Sequence, residues 1–227
     1  RVMKADLPVQ VEGHWFGNAC GSEFSVPAWQ FSACWPGRYA KWTFLPDLGR
    51  GEGCMGLSPV TAPSATSFED APCLEYQVYF PKTGTQTVCL GVLPTQDVMP
   101  ERGLRLAFGL DGGIVRTLDA RQGFVDTFSE YTPKNLKKSP KLKPLPPRNK
   151  TLKLINGDGF CRNEIFDNLR WLTAEFEVEK PGLHTFKVYM VDPEIVLEQL
   201  VFNPDNAHPS YFCLLYTSPS PRDRSLS

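Results

Sequence analysis

The sequence predicts an all-β protein, an antiparallel β-sandwich of jelly-roll type with one short helix. Three observations carry that expectation. Apolar and polar residues alternate with a period of two over several separate stretches, the mark of strands with one buried face. Short segments carrying Gly, Pro and Asp separate these stretches, so consecutive strands run antiparallel, and several in a row make a sandwich or barrel. Only one segment, within 162–170, reads as a helix, and it is short.

The elements follow in chain order. "KWTFL" at 41–45 alternates around Trp42. Leu74, Tyr76, Val78 and Phe80 alternate with Glu75, Gln77 and Tyr79, and after "PKTG" the pattern resumes with Val88, Leu90 and Val92 on one face. Leu104, Leu106, Phe108 and Leu110 form the next strand, which "DGG" at 111–113 turns into Ile114 to Leu118. Together these stretches read as a run of hairpins. Leu172, Ala174, Phe176 and Val178 alternate next. The "EKPGL" that follows offers Pro and Gly where a type II turn requires them. His184, Phe186, Val188 and Met190 share one face, Asp192-Pro193 makes a turn, and a last strand runs to Phe202.

The bulk properties narrow the function classes. A chain of 227 residues with 41% hydrophobic composition can build one sizeable core. A net charge of −1 points to neither nucleic acid nor an anionic membrane, and no apolar run approaches the roughly 20 residues of a membrane span. Seven cysteines without a C-x-x-C pair make no metal site. Their odd number excludes complete internal pairing, so reduced thiols are expected, with Cys73 and Cys89 as small apolar residues inside strands. The chain starts at Arg1 without a signal-peptide pattern, and the N-terminus reads as cut from something longer.

Residues 131–151, "YTPKNLKKSPKLKPLPPRNKT", are rich in Lys and Pro and read as a solvated basic loop between strands. The last residues, 213–227, "CLLYTSPSPRDRSLS", carry no strand periodicity and resemble a translated adapter sequence, a non-native tail. The chain therefore divides into an unplaced segment at 1–23, a sandwich at 24–212, and that tail.

Chemistry-bearing residues are scattered. Glycoside hydrolysis needs two carboxylates across a cleft. Glu75, Asp111, Asp119 and Asp192 are available, but each has an ordinary strand or turn explanation. His14, His184 and His208 lack a nucleophile elbow. His184, on an apolar face, reads as a hydrogen-bonded core or rim residue. The glycine-rich "FGNACG" and "GRGEGCMG" do not lead from strand to helix as phosphate loops must. No catalytic residue, metal or cofactor is expected. Trp15, Trp29, Trp35 and Trp42 crowd the early chain, where aromatic rings either stack on sugars or fill a core or interface. Trp35, Trp42 and Arg50 are the candidate substrate-binding residues. Trp42 is weighed more heavily as core. Arg50 either presents a fork to a uronate carboxylate or pairs with an acidic residue inside the protein.

Several of these segments resemble the C-terminal domain of glycoside hydrolase family 115, the xylan α-1,2-glucuronidases. They are "AKWTFLPDLGRGEGCMGLSPVTAPS" at 40–64, "APCLEYQVYF", "VLPTQDVMPERGLRLAFGLDGG", "GLHTFKVYMVDPEIVLEQLVF" at 182–202 and "HPSYF" at 208–212. The resemblance covers about 24–212 in unbroken order. It implies a parent enzyme that removes glucuronic acid or its 4-O-methyl ether from xylan, with its catalytic carboxylates in an upstream barrel. It implies, too, that this sandwich is accessory, packing on that barrel and helping to build a homodimer. Related modules carry a Glu-Ala-Glu type strand that holds calcium. "VPAWQ" at 26–30 stands there instead, so no metal is carried over. Two other roles remain open: a carbohydrate-binding module for uronate-bearing xylan oligosaccharides, and a purely structural interaction domain.

Overall fold

The computed structural model describes residues 15–17, 23–95, 102–121 and 168–204. These form eleven strands: β1 (Phe24–Pro27), β2 (Ala33–Trp35), β3 (Lys41–Pro46), β4 (Gly53–Ser58), β5 (Cys73–Phe80), β6 (Gly84–Val92), β7 (Arg105–Leu110), β8 (Arg116–Asp119), β9 (Arg170–Val178), β10 (Gly182–Met190) and β11 (Leu197–Phe202). They make two antiparallel sheets. One has five strands in the order β2-β5-β10-β7-β8. The other has six, in the order β3-β4-β11-β6-β9 with β1 also on β11. The basic loop at 131–151, the segment before residue 15 and the tail from residue 213 lie outside the described residues, as does most of the expected helix. That helix does not reach Arg170, which is the first residue of β9.

The chain alternates between the sheets at almost every connection. Among the described residues, only β3–β4 and β7–β8 are hairpins within one sheet. The β7–β8 reversal is the one expected from "DGG". Asp111 and Gly112 both have positive φ (51° and 74°), the requirement of the primed hairpin turns, and Gly113 N–H donates to Leu110 O at 2.8 Å. The "PKTG" and "EKPG" connections are not hairpins. They carry the chain from β5 to β6 and from β9 to β10, strands of opposite sheets. Turn chemistry sets a reversal of direction. Which sheet the next strand joins is decided by burial of its apolar face, which a period of two does not encode. Gly182, at φ 137°, occupies backbone space that side chains avoid.

The period-two faces meet in the space between the sheets. Leu74, Tyr76, Val78 and Phe80 of β5 are fully buried, as are Phe186 and Val188 of β10 and Val88, Leu90 and Val92 of β6. Phenylalanines tie the layers together. Phe186 meets Phe202 edge-on at 5.0 Å, Phe80 meets Phe176 at 5.6 Å, and Phe24 meets Phe80 at 5.8 Å. Each such ring buries ~150–250 Å², several kcal/mol at ~25 cal/mol per Å², before any gain from ring geometry. The Tyr76 hydroxyl, carried into this core, donates to Ala28 O at 2.7 Å and so is not left unpaired.

Candidate functional site

The three residues singled out in the sequence are not brought together. Trp35, in β2, lies on the outer side of the five-stranded sheet and is 56% exposed. Trp42, in β3, is 1% exposed and belongs to the core cluster. Its ring faces pack on protein, so its place is core-filling and no sugar ring can stack there. Arg50 sits in the β3–β4 connection, where its backbone N–H donates to the Glu198 carboxylate at 2.5 Å. Burial raises the Glu198 carboxyl above its ordinary range, against the backbone N–H groups of Arg50 and Gly51 and the Arg50 charge, all of which lower it. A Cβ on Gly49 would lie 2.8 Å from the Glu198 carboxyl carbon, which shows how closely the loop wraps that group. It is the backbone of Arg50 that holds Glu198, a contact that does not depend on the guanidinium fork.

The candidate carboxylates each have a structural partner. Asp192, fully buried, accepts from Arg105 Nε at 2.8 Å, from Arg105 backbone N at 2.9 Å and from the Ser64 hydroxyl at 2.6 Å. Asp119 pairs with Arg121 at 3.2 Å. Glu75 and Lys187, cross-strand neighbours on β5 and β10, form an ion pair at 2.6 Å. Asp111 accepts from Thr185 N–H at 2.8 Å and bonds His184 Nδ1 at 2.5 Å. The other ring nitrogen of His184 lies 2.8 Å from Lys180 O, and the ring packs 5.8 Å from Phe80. His184 is thus a rim residue that ties the β7–β8 turn to the β9–β10 turn. Beside it opens a cleft of about 470 Å³, floored by Phe108 and Phe176 and rimmed by Arg116, Glu177, Glu179 and Lys180. Two of its rim side chains are bonded within the fold: Arg116 donates to Glu175 O and Glu177 accepts from Thr85 at 2.6 Å.

The outer side of the five-stranded sheet is a different kind of surface. Its residues are fixed by register: Leu183 opposite Tyr79, Thr185 opposite Gln77, Lys187 opposite Glu75, Tyr189 opposite Cys73, and Trp35 beyond Cys73. At one end Trp15 packs on Tyr79 at 5.4 Å beside exposed Leu183. At the other, Phe68 packs on Tyr189 at 5.4 Å, with Trp35 in the same row of the sheet. Six residues of strand, about 20 Å, separate the two ends. Between them lie the Glu75–Lys187 pair and a Gln77 Nε2 to Thr185 Oγ1 bond of 3.1 Å. Trp15 was noted in the sequence only among the early tryptophans, and Phe68, Tyr79, Leu183 and Tyr189 were not singled out as site residues. The available signal was an aromatic or Leu at outward positions of β5 and β10, where a solvated strand carries Thr, Lys or Glu.

Residues 24–130 and 159–214 match the family model described as the glycosyl hydrolase family 115 C-terminal domain. No curated protein sequence matches the chain. Among solved structures, the chain is similar to a family GH115 4-O-methyl-α-glucuronidase with specificity for decorated arabinogalactans, at 14% identity and a TM-score of 0.44. That likeness covers 78% of this chain and 18% of the enzyme, so the chain spans about a fifth of it. It is also similar to the C-terminal CBM6 of a marine laminarinase from Zobellia galactanivorans, at 12% identity and TM-score 0.43, covering 80% and 99% of the two chains. A family 35 carbohydrate-binding module from Clostridium thermocellum matches at 9% identity and TM-score 0.43, covering 80% and 98%.

Proposed function

The chain belongs to the glycosyl hydrolase family 115 C-terminal domain family, and on that premise we propose that it is the non-catalytic accessory sandwich of a glycoside hydrolase acting on glucuronoxylan side chains. In this reading the catalytic carboxylates lie in a barrel upstream. This domain adds stability, a docking surface and contacts within a homodimer. The observation that carries the non-catalytic part is the engagement of its carboxylates. Asp111, Asp119, Asp192 and Glu75 are each held by a side-chain partner within the domain. The test is an assay of the 227-residue chain on glucuronic-acid-bearing xylo-oligosaccharides. No release of uronic acid is expected, and measurable turnover would overturn the reading.

A carbohydrate-binding role is the second reading, favoured by the exposure of Trp35 and Trp15 on one sheet face. Sugar rings stack on such faces, and Trp35 is the residue that would carry it. Calorimetric titration with the same oligosaccharides tests it. A saturable heat lost in Trp35→Ala supports a sugar-recognising module, and no heat from the folded chain removes it.

A further inference from the structure

We propose that the outer face of the five-stranded sheet, from Trp15 and Leu183 at one end to Trp35 and Phe68 at the other, is the surface by which this domain rests on the preceding part of its enzyme. The inference deepens the accessory-domain reading and depends on it. Four exposed large apolar side chains on one sheet face are a marked departure from a solvated strand surface: Trp15, Trp35, Phe68 and Leu183. On the outer side of the opposite sheet, β9 exposes Thr173, Glu175 and Glu177, and its Trp171 is half-buried beside Leu169.

The polar strip between the apolar ends identifies the kind of occupant. Glu75 is neutralised by Lys187, and Gln77 by Thr185, each across neighbouring strands of the same sheet. Each of these contacts runs between neighbouring strands of the same sheet, so the ion pair stays paired beneath a covering protein surface. Aromatic anchors flanking a paired polar strip are the arrangement of a protein–protein contact.

Chain direction identifies which protein. A C-terminal domain is joined to its enzyme on the N-terminal side. Here the chain enters the sandwich along the edge of this sheet. Phe16 N–H donates to Gln77 O at 2.9 Å, and Tyr79 N–H donates to Phe16 O at 2.8 Å, which seats Trp15 on the face itself. The polypeptide that leads back to the rest of the enzyme leaves from this edge, so the face beside it is the nearest that the preceding part can cover.

The test uses the full-length enzyme to which this domain belongs, with Trp35→Glu and Leu183→Glu combined. Tryptic cleavage ahead of Trp15 is followed over time. Cleavage about tenfold faster than in the unmodified enzyme is expected, and Thr173→Glu on the opposite sheet should leave the rate unchanged. If the double variant fails to fold, Trp35→Ala with Leu183→Ala keeps the same readout at smaller amplitude. An unchanged rate in a folded variant would overturn the proposal. So would a variant that splits a dimer in sedimentation without faster cleavage, which would assign the face to a second copy. Loss of retention on glucuronoxylan gels at an unchanged cleavage rate would assign it to a glycan. Removing residues 24–212 separates the two levels: if the remaining catalytic region keeps its thermal stability, the accessory reading fails, whichever face is involved.

Discussion

Asp192 and Glu75 show how burial sets the worth of a charge. Asp192 has no exposed surface and holds Arg105 through side chain and backbone while accepting from Ser64. Asp192→Asn leaves those donors facing an amide and is expected to lower stability by roughly 2–3 kcal/mol, read by urea unfolding. Glu75 pairs with Lys187 on a sheet surface, and Lys187 is held above its ordinary range, foremost by that hydrogen bond. Solvent screens the pair, so Glu75→Gln is expected to cost no more than about 1 kcal/mol. Equal effects of the two substitutions would contradict the assigned burial.

Glu198 makes stability depend on pH in a predictable direction. Burial raises its folded-state pKa above the ordinary value of 4.5. Between those two values the folded chain holds a proton that the unfolded chain has lost. Its contribution therefore falls as pH rises through the window and is flat below 4.5. Glu198→Gln should remove that part of the slope in unfolding midpoints measured from pH 4.5 upward. A steeper slope in the variant would contradict the assignment. The same charge acts on Cys54, whose thiol is pushed up to about 12 by burial and then by Glu198. With thiolate at pH 8 on the order of one part in ten thousand, Cys54 should react with a thiol reagent only on unfolding.

At the scale of the element, strand β10 carries two surfaces of opposite character. Phe186 faces the core against Phe108 and Phe202, whereas Leu183 faces outward and is 56% exposed. Phe186→Ala is expected to cost about 3–5 kcal/mol and Leu183→Ser in the isolated chain within about 0.5 kcal/mol, compared by thermal unfolding. A severe effect of Leu183→Ser would place that face in the core. This contrast also marks what was legible in the sequence. The inward set of β5, β7, β9 and β10 could be read from period two, because one buried face leaves a repeating imprint. The "DGG" reversal could be read because Asp and Gly tolerate the positive φ found at 111 and 112. The sheet to which each strand belongs could not, since "PKTG" and "EKPG" look like hairpin turns and instead cross the sandwich. The candidate site was legible only in part. Trp35 is exposed, but Trp42 and Arg50 were drawn to it by composition. In three dimensions one fills the core and the other caps a buried glutamate.

Taken whole, the five-stranded sheet exposes Trp15, Trp35, Phe68 and Leu183 on its outer side. The proposed attachment to a larger enzyme would cover that face. The walls of the cleft beside His184 are tied by Asp111 and Lys180, and Arg116 and Glu177 on its rim are bonded within the fold. On the proposed reading, residues 24–212 support a catalytic region to which they add no chemistry of their own. Scanning calorimetry of the full-length enzyme, with and without those residues, is the deciding measurement. Removing them is expected to lower the unfolding temperature of the catalytic region by several degrees, at the few degrees per kcal/mol expected for a domain of this size. An unfolding temperature for the catalytic region that is the same in both proteins would contradict it.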